Sequence, residues 1–297
     1  MSINEPASPD NLLTETYPGA SGQQPSHSAI VAMNPDNPPW GVSQAVLVWL
    51  ISVASLFFVP LLAVIPYVFY RVVVQGSSQG LGTDSNLIFI SILGILPAHA
   101  LTFLAVWFVV TNRGRRPFWQ TVGWRWPKDF GPWKTIGLAV LLLALGGLIT
   151  RYLGGSETQL DQIINSSLKA RFATAFLAAA SGPLVEELIY RGVLYSAFQR
   201  TIGMTGAVVV VSALFAGVHV LQYFNNLGVI AVITLLSVTL TWVRARTGSL
   251  LPSYVMHLVF NGIQAVILIV QPFVGKPAPD TTPPIGFLIH SLAQLLT

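Results

Sequence analysis

The chain is built from long apolar runs separated by short polar breaks. Runs near 43–70, 86–110, 133–152, 172–198, 204–221, 227–244 and 250–271 are each close to the roughly 20 residues that carry a helix across a bilayer. A further stretch, Ile285 to Leu296, is short for a span and reads either as an eighth, tilted helix or as an interfacial one. Pro60 and Pro66 fall inside the first run and are expected to kink it. The pattern predicts an all-α fold, a polytopic membrane helix bundle of seven to eight transmembrane helices.

Composition agrees with the pattern. The 297 residues are 53% hydrophobic and 9% charged, against about 25% charged in a soluble domain. Without cysteine, disulfides, thiol nucleophiles and thiolate metal ligands are excluded. The net charge of +4 sits in loops, where it sets orientation and gives no reason to expect a nucleic-acid partner. The expected surroundings are a lipid bilayer, with the cell membrane as the expected location.

Four regions follow. Residues 1–39 are polar, and their Pro, Ser, Asn, Asp and Gly come without Lys or Arg, so they read as a disordered tail and not as a cleaved signal peptide. Residues 40–170 hold the N-terminal transmembrane helices. Within them, linker 113–134 interleaves Arg113, Arg115, Arg116, Arg125, Lys128 and Lys134 with Phe118, Trp119, Trp124, Trp126, Phe130 and Trp133. Rings beside cations mark a headgroup-level belt, or a docking place for lipid or substrate. Residues 171–272 form a helical core, and 273–297 a loop with a short apolar helix.

Orientation follows from basic loop residues. With the N-terminus inside, the inner loops carry Arg113, Arg115, Arg116, Arg125, Lys128, Lys134, Arg200, Arg244 and Arg246, and the outer ones Arg71, Arg151, Lys169, Arg171 and Lys276. The balance predicts a cytoplasmic N-terminus.

The core carries the chemistry. Glu186, Glu187 and Arg191 fall inside an apolar span. A charge at bilayer depth costs roughly 2.5 kcal/mol or more, so such groups face a bundle interior or a wet cavity. Phe215-Ala-Gly-Val-His219 ends the next run, and His257-Leu-Val-Phe-Asn261 lies in the last. Residues four apart share a helix face, so Glu187 reaches Arg191 and His257 stacks below Asn261. Glu186 points about 100° away from Glu187, which gives the two carboxylates different jobs. Counting 1.5 Å per residue from the cytoplasmic ends puts Glu187, His219, His257 and Asn261 at depths of roughly 20, 23, 10 and 17 Å. Pro183, after Ser181-Gly182, bends the helix and opens a pocket beside Glu186, or is an ordinary kink.

Each group has a plainer reading. Glu187 and Arg191 also read as a structural ion pair, and a lone intramembrane His as an interhelical hydrogen bond. His99 and His290 have no motif around them and read as packing or interfacial residues; His27 lies in the tail. Gly19-Ala20-Ser21-Gly22 matches a serine-protease pattern of rhomboid type, but in a polar tail that offers no helix start to expose the hydroxyl. The zinc-protease pattern His-Glu-x-x-His and an intramembrane aspartate pair do not occur.

Glu186-Glu187-x-x-x-Arg191, Phe215-x-x-x-His219 and His257-x-x-x-Asn261 resemble the motifs of the CAAX protease and bacteriocin-processing family (CPBP, or Abi). That family is related to type II CAAX prenyl endopeptidases. Arg246-Thr-Gly-Ser-Leu-Leu-Pro-Ser253 is also similar to the family pattern, and the resemblance covers roughly 171–265. It implies an intramembrane endopeptidase acting on membrane-associated protein or peptide substrates. By resemblance, Glu186 is the base that activates water, with His219 helping to hold it. His257 and Asn261 donate to the oxyanion, and Glu187 is a supporting carboxylate oriented by Arg191. Glu with two His is also a catalytic zinc set, so both a metal-free site and a Zn²⁺ site stay open, the former favoured. A non-catalytic scaffold or bacteriocin-immunity protein and a transporter are the other readings.

Overall fold

The structure, a computed structural model, describes residues 37–274. The tail positions before 37, His27 and Gly19–Gly22 among them, and Lys276, His290 and the stretch 285–296 lie outside the described residues. Eleven α-helices follow in order: α1 (Val42–Phe69), α2 (Ser85–Leu93), α3 (Ile95–Val110), α4 (Phe118–Thr121), α5 (Pro132–Leu153), α6 (Gln159–Ser166), α7 (Leu168–Phe176), α8 (Gly182–Glu187), α9 (Tyr195–Tyr223), α10 (Leu227–Thr247) and α11 (Leu250–Val274). There is no strand among the described residues. Three π-turns continue the helices: Tyr70–Val74 after α1, and Leu177–Ser181 and Leu188–Leu194 on either side of α8.

Among the described residues, six helical runs are long and apolar enough to cross a membrane. The segments expected at 172–198 and 204–221 fall within one of them, Leu168–Val220, whose 53 residues far exceed one crossing. It breaks at Gly203, where the backbone takes φ 74 and ψ 173. A residue without Cβ adopts that conformation without clash, so the chain reverses here, at the edge of the break expected between 198 and 204, with helix on both sides. The protein is a multi-pass integral membrane protein, and its outer surface fits lipid. Phe57, Phe58, Leu61, Leu62 and Phe69 all stand exposed along α1, a continuous apolar face that water would not tolerate.

Local signals set the helix ends. The Asp84 carboxylate accepts from the N–H groups of Asn86 and Leu87 and starts α2. Thr158 and Asp161 cap α6 reciprocally. Asn226 caps the start of α10, and Gly248, at φ 60, ends it.

Two larger apolar cores and two smaller clusters hold the described residues together. One gathers Ala45 and Val48 of α1, Val106 of α3 and the buried stretch Leu188–Tyr195 around Phe215. The other joins α5, α10 and α11 through Leu142, Leu143, Leu236, Leu240, Met256 and Phe260. Linker 113–134 is tied to the start of α11: the Gly123 carbonyl accepts from the Leu250 N–H at 2.9 Å and from the Ser249 hydroxyl at 2.9 Å, and Trp124 stacks on Tyr254. Trp119, Trp126 and Trp133 remain exposed beside the linker's cations. Several basic residues counted to loops lie in helix ends, and one of them is buried. Arg244 is fully buried in α10 and donates to Ser196 Oγ at 3.1 Å, because the helix extends to Thr247 before Gly248 ends it.

Candidate active site

Glu187 is the last residue of α8, and Arg191 lies one turn on, inside the π-turn Leu188–Leu194. Both are fully buried. Arg191 Nη1 donates to Glu187 Oε1 at 2.9 Å. Its Nε donates to Thr241 Oγ1 at 3.1 Å, and its Nη2 to the carbonyl and hydroxyl oxygens of Ser237 at 3.0 and 2.9 Å. The flat guanidinium lies 4.7 Å from the Phe215 ring centroid. A buried ion pair is tolerable only when its remaining donors are also satisfied, and α10 supplies that satisfaction. Ser237 and Thr241 escaped the sequence reading, although their signal is simple: two hydroxyls four apart on one face of an apolar helix.

His257 connects this pair to the second carboxylate. Its Nδ1 lies 2.9 Å from Glu187 Oε1, and its Nε2 3.7 Å from Glu186 Oε2. Glu187 Oε1 already accepts from Arg191, so it is an ionised acceptor and His257 Nδ1 carries the hydrogen. The Glu187 side chain is fully buried, whereas 29% of the Glu186 side chain is exposed, in keeping with separate roles on adjacent helix positions. The depth estimate had placed His257 about 10 Å from the level of Glu187. The structure corrects this: the two side chains are in contact, because a count from helix ends leaves out how far the helices are displaced along one another and how far the side chains reach.

His219 projects from α9. Its Nδ1 lies 2.7 Å from the carbonyl oxygen of Phe215, and its ring packs on the Phe215 ring at 4.7 Å. A carbonyl only accepts, so Nδ1–H donates to it, and neutral His219 is left with a lone pair on Nε2. Asn261 Nδ2 donates to the carbonyl of Ala178 at 2.9 Å. Glu186, His219, His257 and Asn261 line one cavity of about 220 Å³. At about 30 Å³ per water, there is room for several waters or a short stretch of polypeptide. Its other walls are largely aliphatic, with Leu160, Ile164, Val229 and Leu268 among them. Glu187 and Arg191 stand behind His257 and do not line the cavity.

The structure thus brings Glu186, Glu187, Arg191 and His257 into one polar chain, and sets His219 and Asn261 on the same cavity. It also adds a residue read from sequence as packing: His99 of α3, whose Nδ1 lies 3.1 Å from Ser181 Oγ at the turn before Pro183. No motif surrounds His99, so only the tertiary contact reveals it.

A zinc site was one expectation. Among the described residues, no three His, Cys, Asp or Glu side chains converge as metal donors. As folded, the three ligands of a catalytic zinc are not gathered at one point. His257 and His219 each give Nδ1 to an acceptor, Glu187 and the Phe215 carbonyl, and keep Nε2 for another partner, which is how a metal-ligating His is held; with Glu186 they are the residues that would hold a zinc.

Residues 168–263 match the family model described as Type II CAAX prenyl endopeptidase Rce1-like. The match is consistent with the CPBP family, and runs from the start of α7 into α11. All six residues above fall inside it, and His99 falls outside. The search of curated proteins and that of solved structures give no match.

Proposed function

We propose that this protein is an intramembrane endopeptidase that hydrolyses peptide bonds of membrane-associated proteins or peptides, by water activated at Glu186 and His219. The supporting observation is the convergence of Glu186, His219 and His257 on one cavity inside an apolar bundle. The family match supports a peptidase of the CAAX type.

The residues divide the work as follows. A water in the cavity donates to the Nε2 lone pair of His219 and to the Glu186 carboxylate. As its oxygen attacks the scissile carbonyl, the proton passes to Glu186, and the C=O electron pair moves onto oxygen. Glu186 then returns the proton to the amine as the C–N bond breaks, leaving one carboxylic acid and one amine. The oxyanion needs a donor. With Nδ1–H given to Glu187, His257 donates from Nε2 only as an imidazolium. The site suits that charge, since Glu187 lies at one ring nitrogen and Glu186 at the other. Arg191 pairs with Glu187 in turn. Asn261, which spends one hydrogen on Ala178, has a second to offer. Preorganised donors of this kind are worth roughly 10²–10³ in rate each. No metal is assigned in this scheme.

We place the N-terminus on the cytoplasmic side from the basic loops, and read the exposed Trp and Arg of linker 113–134 as resting at headgroup level. The test uses full-length protein in lipid nanodiscs with a library of membrane-anchored peptides, CAAX-type C-termini included, and cleavage read by mass spectrometry. The expected result is cleavage by the native protein and a loss on the order of 10²–10⁴ in rate for Glu186→Gln. Equal cleavage by Glu186→Gln overturns the base assignment. Immunity or scaffolding activity that survives in a folded Glu186→Gln protein, with no cleavage by the native chain, overturns the protease.

A further inference from the structure

The turn that carries Glu186 into the cavity has a defect written into its sequence. In the π-turn Leu177–Ser181, the Gly182 N–H bonds to the carbonyl of Leu177, five residues back. The next bond in that register would run from residue 183 to the carbonyl of Ala178. Residue 183 is proline and has no N–H. The carbonyl does not go unbonded, for Asn261 Nδ2 reaches across from α11 and donates to it at 2.9 Å. Gly182 is suited to this turn, since a Cβ there would stand 2.9 Å from the Leu177 carbonyl oxygen. One residue on the other side is fixed as well: Ser181 Oγ meets His99 Nδ1 at 3.1 Å, from α3. The turn is therefore held from two neighbouring helices, one of them in the N-terminal half that the family match does not cover.

We propose that His99 is a positioning residue of the proteolytic site. With Asn261, it clamps the π-turn Leu177–Ser181 in the register that aims Glu186 at the cavity. Glu186 is five residues past Ser181 in the same continuous helix, so a one-residue change of register turns its side chain by about 100°. His257 and His219 sit on other helices and do not follow. The inference rests on the endopeptidase reading for its catalytic consequence, but the clamp itself is a property of the backbone.

The experiment has two independent readouts on the full chain in nanodiscs: cleavage kinetics, and amide hydrogen exchange over 177–187 without substrate. His99→Ala is expected to lower kcat by roughly 10–10²-fold with KM little changed, and to speed exchange in the turn. His99→Asn, whose amide can occupy the place of Nδ1, is expected to restore most of both. Pro183→Ala supplies the missing N–H, so Asn261→Ala should speed exchange less in that background than in the native one. Native rate and exchange in His99→Ala overturn the clamp, as does an Asn261→Ala effect that Pro183→Ala leaves undiminished. If no variant, the native chain included, cleaves any peptide while exchange responds as stated, the clamp stands and the endopeptidase reading falls.

Discussion

Arg191 shows what one side chain can be asked to do inside a membrane. Its three nitrogens meet Glu187, Thr241 and Ser237 from two helices, a fan that lysine, with a single ammonium, cannot reproduce. Arg191→Ala takes from the buried Glu187 carboxylate its arginine partner and leaves it only His257; it is expected to destabilise by about 3–5 kcal/mol. The check is thermal unfolding in detergent, where Arg191→Lys should fall between the two. His257 makes a different kind of prediction. Its Nε2 lies on the cavity side, beside Glu186, so His257→Ala is expected to lower kcat by roughly 10²–10³-fold in the same cleavage assay. An unchanged kcat would remove His257 from the oxyanion role.

At the scale of elements, α8 is only six residues long and is set between two π-turns. Periodicity located Glu186 and Glu187 on a helix and separated their directions, but it could not find the π-turns. Pro183 marks the one before α8 as a place where a backbone bond is missing, but the register taken there depends on a donor from another helix, as Asn261 supplies for Ala178. Gly182→Ala tests the element directly. The added Cβ meets the Leu177 carbonyl at 2.9 Å, and a backbone atom yields less easily than a side-chain tip. Overpacking of this sort costs typically about 1–3 kcal/mol. The expected result is a lower melting temperature together with a fall in kcat at nearly constant KM; an unchanged kcat would show that the turn tolerates displacement. Gly203 was legible only in part: the sequence separates two apolar segments there, yet the reversal without a loop depends on a positive φ that glycine permits without revealing it.

The whole molecule places the polar cluster within a bundle whose outer face is apolar, and couples an N-terminal half to the core that the family model matches. A chelator challenge reads the assembly as a whole. With no three donors converging, cleavage by the purified protein should survive prolonged chelation, followed by dialysis, within about twofold of untreated enzyme. Activity that is lost, and returns on adding zinc, would show that the loaded site rearranges its donors. The sequence by itself determined the all-α membrane bundle, because a backbone in lipid must satisfy its own hydrogen bonds, so uninterrupted apolar runs have one outcome. It also singled out six polar residues, because ionisable groups in such runs are too costly to be casual. Only the tertiary structure decided how they meet: that His257 lies between two carboxylates, that Ser237 and Thr241 complete the shell of Arg191, and that His99 belongs beside the site. Those are contacts between helices distant in sequence. Their geometry depends on π-turns and packing, and no local periodicity records either.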